Sequence, residues 1–191
     1  VKAVLLTAVI LVLMTQAMCA QQFHLGAPVS DFTLHDMSGN SLSYQALKGK
    51  VTVVMFFSTR CPISNAFNFR RNTVYRDFRK RVNFIVVDSN SNESLEEVRA
   101  YAKEVGFDFP VYLDVNNQAS DGFGVLATTD TFVMDSSGVM QYHGYIEDAL
   151  NPERTTKQGL RLAIEAVLEG KPVEMAESAA RGCAIRRSSP P

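Results

Sequence analysis

The sequence predicts a single three-layer α/β/α domain around a central mixed β-sheet, with an amino-terminal β-hairpin as an extension. Val51–Phe57 and Val82–Asp88 are continuous apolar runs rich in β-branched and aromatic residues, the pattern of strands buried on both faces of a mainly parallel sheet. Helical stretches follow each run, which makes a βαβα unit. Thr131–Asp135 and Val139–Tyr145 flank the turn Ser136-Ser-Gly138, so an antiparallel hairpin makes the sheet mixed.

Each further element has its own signal. Asp31–His35 and Ser41-Leu42 flank the turn Met37-Ser-Gly-Asn40, which predicts the amino-terminal hairpin. From Pro62 to Arg81 a helix is expected, with Phe67, Val74 and Phe78 as its apolar side. Arg70, Arg71, Arg76, Arg79 and Lys80 form a basic face read as solvated. Ser94-Leu-Glu-Glu97 is a capping box opening a helix that ends at Gly106. Pro110–Asp114 reads as a short strand and Gln118–Phe123 as a turn or short helix. Pro152–Gly170 reads as an amphipathic helix through Leu160, Ile164, Val167 and Leu168.

At 191 residues, 46% hydrophobic and 20% charged, the chain has material for one core and too little for a second of useful size. Its formal charge is −1, so no field favours nucleic acid. Residues 1–20 read as a secretory signal peptide: Lys2 is the positive start, Ala3–Met14 the apolar run, and Ala17-Met-Cys-Ala20 the small-residue cleavage region. Export to a periplasmic or extracellular compartment follows. A membrane-anchored form requires that the leader is retained or that Cys19 is lipidated. Gln16 and Met18 stand where small or aliphatic residues precede a lipidated cysteine. Residues 21–172 then form the folded domain, and residues 173–191 a basic, small-residue tail carrying Cys183.

Removal of the leader leaves Cys61 and Cys183 as the thiols, too few for a disulfide scaffold. Cys61 lies in Phe57-Ser-Thr-Arg-Cys-Pro-Ile-Ser64, where a buried strand passes into a helix. Pro62 suits the first helical position, which makes Cys61 the N-cap. Its thiolate would accept from the N–H groups of Ile63 or Ser64 and gain from the helix dipole. Such placement lowers a thiol pKa from about 8.5 into a range of about 3.5 to 7.5. A buried structural cysteine is the plainer alternative. Arg60, Ser64 and Asn65 argue instead for an exposed, electropositive turn.

The strand, this cysteine segment, the helix after it and Thr131–Gly138 resemble the thioredoxin superfamily, and within it the redoxin, or AhpC/TSA, branch. The resemblance spans roughly residues 25 to 170. It implies a thioredoxin-like fold and a thiol-disulfide oxidoreductase with no cofactor and no metal. The partners implied are a thiol or disulfide substrate, protein or small molecule, or a peroxide, with an external reductant. This sequence departs from the family pattern at several positions. Ser64 replaces the second cysteine of Cys-x-x-Cys and offers a hydroxyl to the Cys61 thiolate. Thr129 stands where thioredoxins carry a cis-proline, and Met55 where they bury an acid. Val54 and Ser58 stand where peroxiredoxins of this branch carry a proline and a threonine or serine. The arginine those enzymes place before the later strand is unmatched unless Arg60 substitutes.

Two readings of Cys183 stand, both requiring proximity to Cys61. It is a resolving thiol that attacks a mixed disulfide or sulfenic acid on Cys61, with Gly182 giving the tail freedom to approach. Or the two form a permanent staple, worth about 4 to 5 kcal/mol for so long a loop. Two rivals of other classes stand beside these: a copper carrier, for which His24, His35 and His143 lack ligand spacing to Cys61, and a non-catalytic thioredoxin-fold binding module.

Overall fold

The computed structural model describes residues 22–188; the expected leader, Cys19 and the final three residues lie outside the described residues. The hairpin extension is β1 (Thr33–Asp36) and β2 (Ser41–Ser43). The central strands are β3 (Thr52–Phe57), β4 (Asn83–Asp88) and β5 (Val111–Leu113), followed by β6 (Thr131–Met134) and β7 (Met140–Gly144). They form one sheet in the order β2-β1-β5-β4-β3-β6-β7. β3, β4 and β5 run parallel, and β1, β6 and β7 pair antiparallel with their neighbours. All six residues of β3 are buried, as its unbroken apolar run requires.

The helices are α1 (Pro62–Asn65), α2 (Asn68–Phe78), α3 (Leu95–Glu104), α4 (Gln118–Gly122) and α5 (Gly159–Leu168). Successive side chains of β3 point to opposite faces. Val53, Met55 and Phe57 meet Val74 and Phe78 of α2, Val98 of α3 and Leu160 and Ile164 of α5. Val54 and Phe56 meet the other layer, made of α4, the segment around Phe32 and Tyr44, and Ile185 from the tail.

Three sequence expectations are corrected. The helix expected from Pro62 to Arg81 is broken: α1 ends at Asn65 and α2 starts at Asn68. The arginine face of α2 is not uniformly solvated. Arg71 is fully buried and Arg70 nearly so; Arg70 pairs with Glu147 at 2.8 Å and its guanidinium lies 4.6 Å from the Phe67 ring centroid. The helix expected from Pro152 starts later, at Gly159, because Pro152–Arg154 closes a 3₁₀ turn and the N–H of Thr156 donates to Asp148 Oδ1 at 2.9 Å.

Beyond α5 the tail stays on the domain. The N–H of His143 donates to Ala176 O at 2.9 Å and that of Ser178 to His143 O at 3.0 Å, so the tail first borders β7. It then crosses to the carboxyl end of β3.

Candidate active site

The site is built where β3 ends. Residues 58–60 turn the chain, and Pro62 at the first helical position makes Cys61 the N-cap of α1, with φ −90 and ψ 112. Cys61 Sγ accepts a hydrogen bond from the N–H of Ser64 at 3.4 Å. α1 has only four residues, so a long-helix dipole contributes little and the local N–H groups carry the effect.

A buried cation adds to them. Arg71 of α2 is 0% exposed, and its guanidinium donates only to neutral oxygens. These are Ser64 O at 2.8 Å, Ser64 Oγ and Asn68 Oδ1 at 3.1 Å, Phe56 O at 3.2 Å and Thr128 O at 3.4 Å. Burial lowers its pKa to about 10, while Tyr101 and the Cys61 thiolate act in the other direction. Arg71 therefore remains a cation at neutral pH, and no carboxylate pairs with it among the described residues.

The tail closes the site from outside. The N–H of Cys183 donates to Cys61 Sγ at 3.3 Å, and the N–H of Thr128 donates to Cys183 O at 2.9 Å. The Thr129 hydroxyl donates to Arg181 O at 2.6 Å. Gly182 permits this approach, since a Cβ there would lie 3.0 Å from both N and Oγ1 of Thr128. Its use is closeness rather than backbone freedom. Downstream, Ile185 is buried, the N–H of Arg186 donates to Asn90 Oδ1 at 3.0 Å, and that of Ser91 to Arg186 O at 2.7 Å.

Cys61 is consequently 1% exposed, whereas Cys183 is exposed; both are free thiols. The open turn expected from Arg60, Ser64 and Asn65 is thus covered by a segment more than a hundred residues away. Burial pushes the Cys61 thiol up. The Cys183 thiol, the Thr128 hydroxyl and the N–H groups of Ser64 and Cys183 outweigh it and hold its pKa below the ordinary value. The buried Thr128 hydroxyl makes no other hydrogen bond among the described residues, so its proton is free to turn to the sulfur. Cys183 is pushed up to about 11, first by its hydrogen bond to Cys61 and then by burial.

Several supporting residues act differently from expectation. Arg60 does not face the sulfur: its guanidinium pairs with Glu97 at 2.7 Å, drawing away the carboxylate that would complete the Ser94 capping box. Ser94 Oγ still accepts from the N–H of Glu97 at 3.2 Å. Ser64 serves Cys61 through its N–H; its hydroxyl oxygen accepts from the N–H of Ser58 at 3.2 Å and from Arg71. The Ser58 hydroxyl donates to the buried Glu93 carboxylate, which also accepts from the N–H of Thr59 at 2.6 Å. Thr129 binds the tail, and its neighbour Thr128 faces the thiol. Met55 is core. Asp88 and Glu93, on and after β4, are buried acids.

Sequence reasoning placed Arg71 on a solvated face and passed over Thr128, Glu93 and Ile185. Only Ile185 had a signal, an isolated branched apolar residue in a basic tail. The histidines stay apart: His143 lies 3.4 Å from Asp130 and His35 3.4 Å from Ser41 Oγ, and among the described residues no group of three or more His, Cys, Asp and Glu could hold a metal ion. No helix among the described residues is long and apolar enough to cross a membrane.

A cysteine at the carboxyl end of the central strand of such a sheet, capping a helix, defines a protein of the thioredoxin superfamily. Residues 25–143 match the model of the AhpC/TSA family, and the chain belongs to that family. It is 31% identical over 114 residues to thiol-disulfide oxidoreductase ResA of Bacillus subtilis, covering 59% of this chain and 63% of that protein. It is also 31% identical over 147 residues to the chloroplastic peroxiredoxin Q of Sedum lineare, covering 72% and 76%. A solved hypothetical protein of Sinorhizobium meliloti 1021 superimposes with a TM-score of 0.79 at 28% identity, covering 89% of this chain and 98% of its own.

Proposed function

We propose that this chain is an exported thiol-disulfide oxidoreductase whose Cys61 and Cys183 cycle between a dithiol and a disulfide. Cys61 is the nucleophilic thiolate and Cys183 the second thiol. Residues 1–20 are the leader, 21–172 the domain, and 173–191 the segment that brings in the second thiol. One observation carries the reading: the N–H of Cys183 donates to Cys61 Sγ at 3.3 Å. A labile pair fits better than an inert staple, because a stabilised Cys61 thiolate is a good leaving group. The similarity to ResA supports the same reaction class.

A thiol peroxidase is the second reading, supported by the similarity to peroxiredoxin Q and by the buried Arg71 cation, which the Cys61 thiolate stabilises. It is weakened at Ser58, whose hydroxyl serves Glu93 instead of the thiol. Reduction of a small disulfide and consumption of peroxide, each measured for wild type, Cys61→Ser and Cys183→Ser, separates the two. The oxidoreductase reading expects disulfide exchange to be lost in both variants. Rates equal to wild type in both assays would leave a binding module.

A further inference from the structure

The two sulfurs differ in what they offer an outside molecule. Cys61 is 1% exposed beneath residues 181–185, while Cys183 is exposed. The segment that covers Cys61 is anchored on both sides of Cys183. Arg181 O accepts from Thr129, Cys183 O accepts from Thr128, and the backbone of Arg186 is held by Asn90 and Ser91 around the buried Ile185. A thiol can reach Cys183 with all these bonds intact, and can reach Cys61 only by breaking them.

Resting on the Cys61–Cys183 cycle set out above, we propose that external thiols enter that cycle at Cys183. An incoming thiolate attacks Cys183 Sγ of the internal disulfide, the Cys61–Cys183 bond breaks, and Cys61 leaves as thiolate. A second thiolate attacks the sulfur of the first, releases the external disulfide and returns Cys183, which takes up a proton. Two external thiols are oxidised and one protein disulfide is reduced.

Leaving-group chemistry selects the same sulfur as access does. Exchange is faster when the departing thiol is the more stable thiolate. Cys61 keeps its N–H donors from Ser64 and Cys183 and the nearby Arg71 cation, whereas Cys183 has no comparable set. The resolving role of Cys183 is thereby extended to first contact with the partner. The partner class is a thiol bearing negative charge: Arg181 and Arg186 are exposed beside Cys183, and neither forms an ion pair among the described residues.

The test starts from the full chain oxidised mildly, with loss of two hydrogens verified by intact mass. Glutathione is added for a short interval, the sample is quenched with N-ethylmaleimide, and both cysteine peptides are mapped. The expected result is glutathione on Cys183 and maleimide on Cys61, by about tenfold over the reverse. Glutathione on Cys61, or equally on both, overturns the inference and leaves the disulfide cycle standing. A chain that forms no Cys61–Cys183 disulfide overturns the cycle itself.

Discussion

Cys183 donates its backbone N–H to the Sγ of Cys61 at 3.3 Å across 122 residues of chain. The bond ties the stability of one thiolate to the docking of the tail. A Cys-x-x-Cys pair would put both thiols on one helical turn; here Ser64 takes the second place and the second thiol comes from the tail beyond α5.

Removing the tail's apolar anchor should uncover the thiol. Ile185 is 6% exposed and packs in the layer formed by Phe56, Val87 and Phe132. Truncation of a buried isoleucine to alanine costs about 2 to 5 kcal/mol, and here the cost falls on docking of the tail. In a Cys183→Ser background, Ile185→Ala should raise the rate of Cys61 alkylation by iodoacetamide at least about tenfold, since 1.4 kcal/mol is a factor of ten. The melting temperature of the domain should change little.

Arg71 tests the electrostatics. Its buried guanidinium has only neutral partners in its hydrogen bonds. Arg71→Met should raise the Cys61 pKa, read from thiolate absorbance against pH. Arg71→Lys keeps the charge and loses the fork, and should recover part of the shift. Equal thiol titrations in wild type and both variants would show that the hydrogen bonds alone set the thiolate.

The central fold was legible because a strand buried on both faces writes an unbroken apolar run, as Val51–Phe57 does. The N-cap cysteine was legible because proline at the first helical position marks the cap. Arg71 was not: arginines on opposite sides of one helix look alike in sequence, and only the facing carbonyls of Phe56, Ser64 and Thr128 explain the burial. The cover over Cys61 was equally hidden, since it is made by backbone groups of Cys183 and Arg186, which any residue carries. The late start of α5 has a local cause: Pro152–Arg154 closes a 3₁₀ turn, and the N–H of Thr156 is held by Asp148 Oδ1.

Asp88 should make stability fall with rising pH. Burial, and then the neighbouring Glu93 carboxyl, push its pKa up to about 8 from 3.8, against the opposing hydrogen bonds from Asn90. The folded chain holds this proton where the unfolded chain has lost it. Asp88's stabilising contribution is therefore full below about pH 4 and is lost as pH rises toward about 8. Asp88→Asn should flatten the dependence in that window in denaturant titrations at pH 5 and pH 9. A wild-type stability that rises across the same window would contradict the assignment.

The exposed arginines should sort incoming thiols by charge. Thioglycolate should reduce the Cys61–Cys183 disulfide more slowly in Arg186→Glu, and cysteamine faster, each by a few-fold at low salt. Both differences should shrink as the ionic strength is raised. Comparing each thiol with itself removes the effect of its own pKa. A change of the same sign for both thiols would point to altered tail docking rather than to charge.

Substitution of Gly182 tests closeness without touching either sulfur or Ile185. A Cβ at this position would sit 3.0 Å from N and Oγ1 of Thr128 and 3.3 Å from Ala127 Cβ. Thr128 N and Cys183 O are themselves hydrogen-bonded at 2.9 Å, leaving no slack between the two segments. Gly182→Ala should therefore push the tail outward by a few tenths of an ångström, and Gly182→Val further. The Cys61–Cys183 disulfide should become less favourable against a glutathione buffer, by about tenfold for valine, or about 1.4 kcal/mol, and by less for alanine. Cys61 alkylation in the reduced protein should rise in the same order. Wild-type values in both measurements for Gly182→Val would show that the tail reaches Cys61 without the close approach at Thr128.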